Sequence, residues 1–221
     1  MSPRSATVDS SRPHQALPRR MRVRRPVPAR RRRLLVGLAL AVAAVGAVSL
    51  ASSWFDHAVK EIALPLRHED IIRQQARAKR LDPALVAGVI YVETKFVPRT
   101  SGAGAKGLMQ LLPSTARFLA RRTHGTAFQI RDLATPQVNI AYGSYYLRYL
   151  LDRYGQSEVP AVAAYNGGET NVDRWIAAAG GSVRDLSASD IPFSETRAYV
   201  QKVMSAQREY RRSYRRELGL R

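Results

Sequence analysis

The sequence predicts an all-α domain of roughly 160 residues, carried behind one apolar span and a basic, unstructured N-terminus. Three observations carry that prediction. Apolar residues recur at helical spacing from about residue 68 onward with no convincing alternating strand, proline and glycine punctuate the chain into six or seven segments, and no repeat period relates those segments. A length of 221 residues suits one domain of ordinary size plus an appendage.

The N-terminal appendage divides in two. Residues 1–33 hold 11 arginines against a single acid, Asp9, so about half of the net +19 lies there and about +9 remains for the rest. This Arg/Pro/Ser mixture has too few large apolar groups to order itself, and we read it as a disordered cytoplasmic segment. Because it abuts an apolar stretch, its charge is better explained as a topology signal drawn to anionic lipid than as a nucleic-acid arm.

The stretch "LLVGLALAVAAVGAVSLASSWF", residues 34–55, contains no charge. As a helix it would be roughly 25 to 33 Å long, matching a hydrocarbon core of roughly 30 Å. Arginines before it and Trp54-Phe55 after it predict a single-pass transmembrane signal-anchor, with the N-terminus inside and the remainder extracytoplasmic. The alternative is a cleaved leader ending near Ser49-Leu50-Ala51. Residues 56–67 then form a linker, 68–210 the main domain and 211–221 a basic tail. With no cysteine in the chain, neither disulfides nor a thiolate metal site enter the argument.

Within the domain, residues 68–80 form one amphipathic helix. Asp82-Pro83 supplies an N-cap and a first-turn proline for "PALVAGVIYVETKF", where Val86, Ile90, Glu93 and Val97 fall on one face. Glu93 is therefore aimed inward, where loss of water raises its pKa toward the range of a general acid; the bland alternative is a glutamate that turns out to solvent at a fraying end. Gly102, Gly104 and Gly107 make the next loop one in which backbone can approach a ligand closely. Further helices open at Pro113, at Thr135-Pro136, in "VPAVAAYNGG", in "ETNVDRWIAAAG" and at the expected cap Ser194.

The ordered blocks Glu93-Thr94, Gly107-Leu108-Met109-Gln110, Pro113-x-Thr115-Ala116, Asn139 with Gly143 and Tyr146-Leu147, Ala164-Tyr165-Asn166-Gly167-Gly168, and Glu195-Thr196 with Tyr199-Val200 resemble the catalytic domain of the soluble-type lytic transglycosylases, relatives of goose-type lysozyme. The resemblance covers about residues 70–210. It implies a lysozyme-like (goose-type) helical globule that cleaves the MurNAc-GlcNAc bond of peptidoglycan and leaves a 1,6-anhydro sugar. It also implies Glu93 as the sole acid/base, Met109 and Gln110 as cleft residues beside the sugars, and Ser101 as a polar contact in the glycine loop. Tyr165 matches the hydroxyl that orients the glutamate, while Asn166, Glu195 and Tyr199 match residues lining or bracing the site.

Three departures from the family pattern bear on that transfer: Thr94 stands where serine is usual, the loop is one residue short, so that Thr100 is an alternative to Ser101, and a bare double glycine stands at Gly167-Gly168. Glu195 suits a helix N-terminus equally well.

One carboxyl suffices for this chemistry, whereas ordinary glycosidases use two. No cofactor is expected, and His14, His57, His68 and His124 have no metal-ligand spacing. A lysozyme-type hydrolase would need a second acid, for which Asp132, Asp152 and Asp173 are available; a wall-binding module without catalysis is the third possibility. The expected partners are peptidoglycan strands and the cytoplasmic membrane, with no nucleic acid and no metal.

Overall fold

A computed structural model describes residues 62–220 and, in isolation, Val42. The chain divides into two units, Met1–Ser53 and Trp54–Arg221. The predicted basic segment 1–33 and the span 34–55 therefore lie outside the described residues, apart from Val42. Among the described residues no helix is long and apolar enough to cross a membrane.

The second unit holds seven α-helices among its described residues: α1 (Glu69–Lys79), α2 (Pro83–Thr94), α3 (Pro113–Arg122), α4 (Pro136–Arg153), α5 (Glu158–Gly167), α6 (Glu169–Ala178) and α7 (Ser194–Ser213). Single 3₁₀ turns at Ile130–Ala134 and Ala188–Asp190 precede α4 and α7. One antiparallel hairpin departs from the strand-free expectation: β1 (Arg99–Thr100) pairs with β2 (Lys106–Gly107), with Arg99 opposite Gly107. Two-residue strands are too short to show an alternating pattern.

Helix α2 is the axis of the domain because its sequence is apolar on every side. Ala84 to Ile90 are all buried, as a core helix requires. Asp82 caps it by accepting from the Ala84 amide at 3.0 Å. Gly88 lets α7 come close, since a Cβ there would stand 3.1 Å from the Gln207 amide nitrogen and 3.2 Å from the Val203 oxygen. Polar side chains close one end of that helix pair: Gln207 and Arg211 of α7 donate to Asp82 at 2.8 and 2.7 Å, and Gln207 also reaches Glu158 of α5 at 3.0 Å.

The C-terminal end of α2 differs from the expected pattern. The helix stops at Thr94, and Lys95 and Phe96 both take left-handed backbone, with φ of 50° and 63°. This double reversal swings Phe96 into the core, where it is 2% exposed against Tyr210, and leaves Val97 outside the helix at 65% exposure. Val97 therefore does not share the inward face with Val86 and Ile90; the turn hands that place to Phe96. The strain is borne because the aromatic side chain buries its ring.

Two boundaries also shift. Ser194 is the first helical residue of α7, and Phe193 holds the cap position without a side-chain bond. Thr135 likewise takes the α4 cap position without one. The expected basic tail is not separate from the domain over residues 211–220: α7 runs through it to Ser213, and Tyr214 and Leu218 are buried. Three tyrosine hydroxyls, one from α2 and two from the end of α7 and the residue after it, tie down the residues just before α1. Tyr91 donates to the Ala63 carbonyl at 2.9 Å, Tyr214 to that of Leu64 at 2.7 Å, and Tyr210 to that of Pro65.

Candidate functional site

A cleft of about 520 Å³ opens between the end of α2, the hairpin, α4, α5 and the start of α7. Its location follows from the abrupt end of α2. The last turn carries Glu93 to the cleft wall, and Thr94 anchors that turn: its buried hydroxyl donates to the Leu108 carbonyl at 2.8 Å and the Ile90 carbonyl at 3.2 Å. The Thr94 hydroxyl thus joins α2 to the loop carrying Met109 and Gln110.

The loop is in turn held by Asn139 of α4, which is fully buried and fully bonded. Its Oδ1 accepts from the Met109 amide at 2.8 Å, while Nδ2 donates to the carbonyls of Lys106 at 2.9 Å and Leu133 at 3.1 Å. Gly107 makes room for it: at φ 78°, a Cβ would fall 2.1 Å from the Asn139 nitrogen. One turn along α4, Gly143 has the Met109 sulfur lying 2.4 Å from where its own Cβ would be. Met109 is consequently 0% exposed. Its expected place beside the sugars is corrected accordingly: the side chain is a core plug, and what it offers the site is its backbone.

Glu93 is half-buried at the cleft wall. Its Oε1 accepts from the Tyr199 hydroxyl at 2.7 Å. Loss of water lifts its pKa to about 7, against the opposing pull of the Tyr199 hydrogen bond and the nearby positive charge of Arg99. Tyr165 and Tyr199 are themselves held well above the ordinary tyrosine pKa, first by burial and then by the Glu93 charge, so both remain neutral. The two tyrosines exchange the parts expected of them. Tyr165 donates to the Met109 carbonyl at 2.9 Å rather than to the glutamate, and the hydroxyl that orients Glu93 belongs to Tyr199. A phenol reaching from α7 to α2 is a tertiary contact that spacing along the chain does not encode.

The other expected residues gather around the same space. Gln110, at φ 46°, spends its amide hydrogens on the carbonyls of Arg99 at 2.8 Å and Gly107 at 2.7 Å, so only its carbonyl oxygen is left for a ligand. Ser101 lines the cleft while its Oγ accepts from the Ala105 amide at 3.1 Å; Thr100, the alternative, pairs in the hairpin. Asn166 is exposed on the lining and accepts from Thr196 at 2.8 Å. Glu195 is exposed at the rim in the first turn of α7, a position that serves both readings of it.

Sequence reasoning missed Arg99. Its guanidinium donates to the Glu93 carbonyl at 2.6 Å, satisfying a free carbonyl at the helix end and placing a cation beside the acid. A basic residue just past a helix C-terminus was the available signal. Tyr146 and Thr115 also line the cleft.

The three aspartates weighed as a second acid are engaged elsewhere. Asp132 closes a 3₁₀ cap by accepting from the Gln129 amide at 2.8 Å; Asp152 pairs with Arg148 at 2.8 Å and Asp173 with Arg153 at 2.6 Å. Among the described residues no three His, Cys, Asp or Glu side chains come together as a metal site.

The cleft of this helical domain thus presents a half-buried glutamate with a raised pKa, braced by a tyrosine from a distant helix. Residues 70–186 match the model of the Transglycosylase SLT domain, and the chain belongs to that family. Among curated proteins it is 32% identical over 171 residues to the soluble lytic murein transglycosylase of Salmonella typhimurium, covering 74% of this chain and 25% of that one. It is 46% identical over 96 residues to the transglycosylase of Enterobacteria phage PRD1, covering 43% and 32%, and 29% identical over 189 residues to membrane-bound lytic murein transglycosylase C of Glaesserella parasuis, covering 70% and 51%.

Of solved structures, the 70-kDa soluble lytic transglycosylase of Escherichia coli superposes with a TM-score of 0.64 at 29% identity, covering 74% of this chain and 27% of that one. An inactive Glu-to-Gln mutant of the lytic transglycosylase Slt of Pseudomonas aeruginosa gives 0.63 at 30% identity, covering 81% and 29%. The mostly helical, lysozyme-like fold is shared with these structures. The chain spans about a quarter of the length of the soluble relatives.

Proposed function

We propose that this chain is a peptidoglycan lytic transglycosylase in which Glu93 serves first as general acid and then as general base. The observation that carries this reading is the placement of that carboxyl, half-buried with a pKa near 7 and hydrogen-bonded by Tyr199. A group poised there is protonated often enough to donate and basic enough to recover a proton. Glu93 protonates the glycosidic oxygen between MurNAc and GlcNAc as that bond breaks. The positive charge that develops at C1 is supported by the substrate's own N-acetyl group. Glu93, now a carboxylate, removes the proton from the muramyl 6-hydroxyl as its oxygen bonds to C1, closing the 1,6-anhydro ring and restoring the acid. Arg99 and Tyr199 stabilise the intervening carboxylate. Ser101, Gln110, Asn166 and Glu195 supply polar contacts to the sugars, and the Glu-to-Gln mutant of the Pseudomonas relative, described as inactive, supports the dependence on a glutamate.

Residues 34–55 anchor the enzyme in the cytoplasmic membrane on this reading, with the catalytic domain outside. Its relatives include proteins named as soluble and as membrane-bound. Asp132, Asp152 and Asp173 all lie outside the lining of the cleft that holds Glu93, which weighs against the hydrolase alternative. Digestion of purified sacculi followed by mass spectrometry of the muropeptides tests the reading. Products lighter by one water than hydrolysis products support it, and hydrated reducing ends refute it.

A further inference from the structure

A row of aromatic rings leads away from the cleft past Tyr165. Helices α3 and α4 pack against one another, and residues one turn apart on each come together, as the contact of Phe118 with Tyr149 shows. Thr115 and Tyr146 line the cleft; one turn further on come Phe118 and Tyr149, and then Arg122 and Arg153. The rings form a continuous path. Tyr165 lies 5.3 Å from Tyr146, Tyr146 lies 6.2 Å from Tyr149, and the Arg122 guanidinium sits 5.1 Å from the Tyr149 ring and 5.5 Å from that of Phe118. At the far end of this row lies a second, separate groove of about 470 Å³, lined by Arg122, Tyr145, Arg148, Tyr149, Asp152 and Arg153.

The charges in this groove are not equivalent. Arg148 is paired with Asp152 at 2.8 Å, and Arg153 with Glu169 at 3.1 Å and Asp173 at 2.6 Å. Arg122 has no ion-pair partner among the described residues, while its guanidinium lies over two aromatic rings. A stacked guanidinium is weakly hydrated and keeps a fork of donors suited to one carboxylate. Two ring-to-ring steps and one from ring to guanidinium, each of 5 to 6 Å, separate it from the cleft tyrosine, a distance that an extended peptide of about five residues spans at roughly 3.4 Å per residue.

We infer that the Arg122 groove binds a carboxylate of the peptide stem attached to the muramyl sugar in the cleft, making Arg122 a specificity residue for stem-bearing strands. This rests on the peptidoglycan reading above. Among the described residues, the single unpaired cation of the groove at Arg122 and the reach of the path favour a stem over an anionic wall polymer, which would have no reason to begin at the cleft.

The test compares two substrates for the full chain: purified glycan strands with stems, and the same strands after amidase removal of the stems. The wild type prefers stem-bearing strands in kcat/KM. R122Q reduces that preference roughly five- to tenfold, chiefly through KM, as loss of a charge-assisted carboxylate contact does. R122K, which keeps the charge but not the fork, recovers part of it. An unchanged preference in R122Q overturns the inference, and so does an equal loss on both substrates, which would place Arg122 in the fold or on the glycan. If the wild type releases no anhydro product from either substrate, it is the peptidoglycan reading itself that falls.

Discussion

Replacing Tyr199 by phenylalanine isolates the one hydrogen bond that the account assigns to control of the acid. The ring is kept in its buried place and only the 2.7 Å bond to the Glu93 Oε1 is lost. That bond favours the carboxylate, because a phenol donates more strongly to a charged oxygen than to a neutral acid. Its loss therefore raises the Glu93 pKa above its present value of about 7. Hydrogen bonds to charged groups contribute about 1.5 to 3 kcal/mol. Water can reach a half-buried carboxyl and replace part of this, so the lower end applies, or about one pKa unit at 1.36 kcal/mol per unit. The acid must be protonated to act, so the alkaline limb of the kcat/KM profile moves up by about one unit. The plateau falls meanwhile, because the carboxyl is no longer held in place. A profile measured from pH 5 to 10 on soluble glycan strands reads both effects. An alkaline limb that stays put or moves down refutes the assignment.

Three further outcomes concern stability. Glu93→Gln stabilises the protein in alkali: the folded pKa of about 7 exceeds the reference 4.5, so the wild type is fully stabilised below about 4.5 and loses at most about 3 kcal/mol as pH rises through 7. Thermal melts should show the variant several degrees above wild type at pH 8 and level with it at pH 4.5; equal differences at both would refute the burial of that carboxyl. Asn139→Ala strips partners from the Met109 amide and two carbonyls, and a urea titration should register a loss of about 2 to 4 kcal/mol. Gly143→Ala drives a methyl into the Met109 side chain and should cost about 1 to 3 kcal/mol in the same titration, with a fall in activity as the loop beside Glu93 shifts.

The helices were legible because proline and glycine mark their ends and because α2 is apolar on every side. Glu93 was legible because a lone carboxylate closes that apolar run beside a glycine loop. The hairpin was not, since two-residue strands leave no alternation to read. Phe96 took the inward place expected of Val97 because two left-handed residues reverse the chain, and neither Lys95 nor Phe96 is a residue type that announces such a turn. Met109 looks like a ligand contact in a loop until Gly143 is seen to provide its socket. The exchange between Tyr165 and Tyr199 has the same origin: both lie close to Glu93, and which hydroxyl meets the glutamate is set by how α5 and α7 cross α2. Arg99 lay in plain view just past the helix end, with its effect on Glu93 created by the hairpin that turns it back.

That Glu93 alone carries both proton transfers is tested most directly by quantifying anhydro-muropeptides released from purified sacculi by the full chain and by its Glu93→Gln variant, with equal folded protein confirmed by thermal melt. The account predicts ring-closed product from the first and none above background from the second. Release at an undiminished rate by the variant would contradict it.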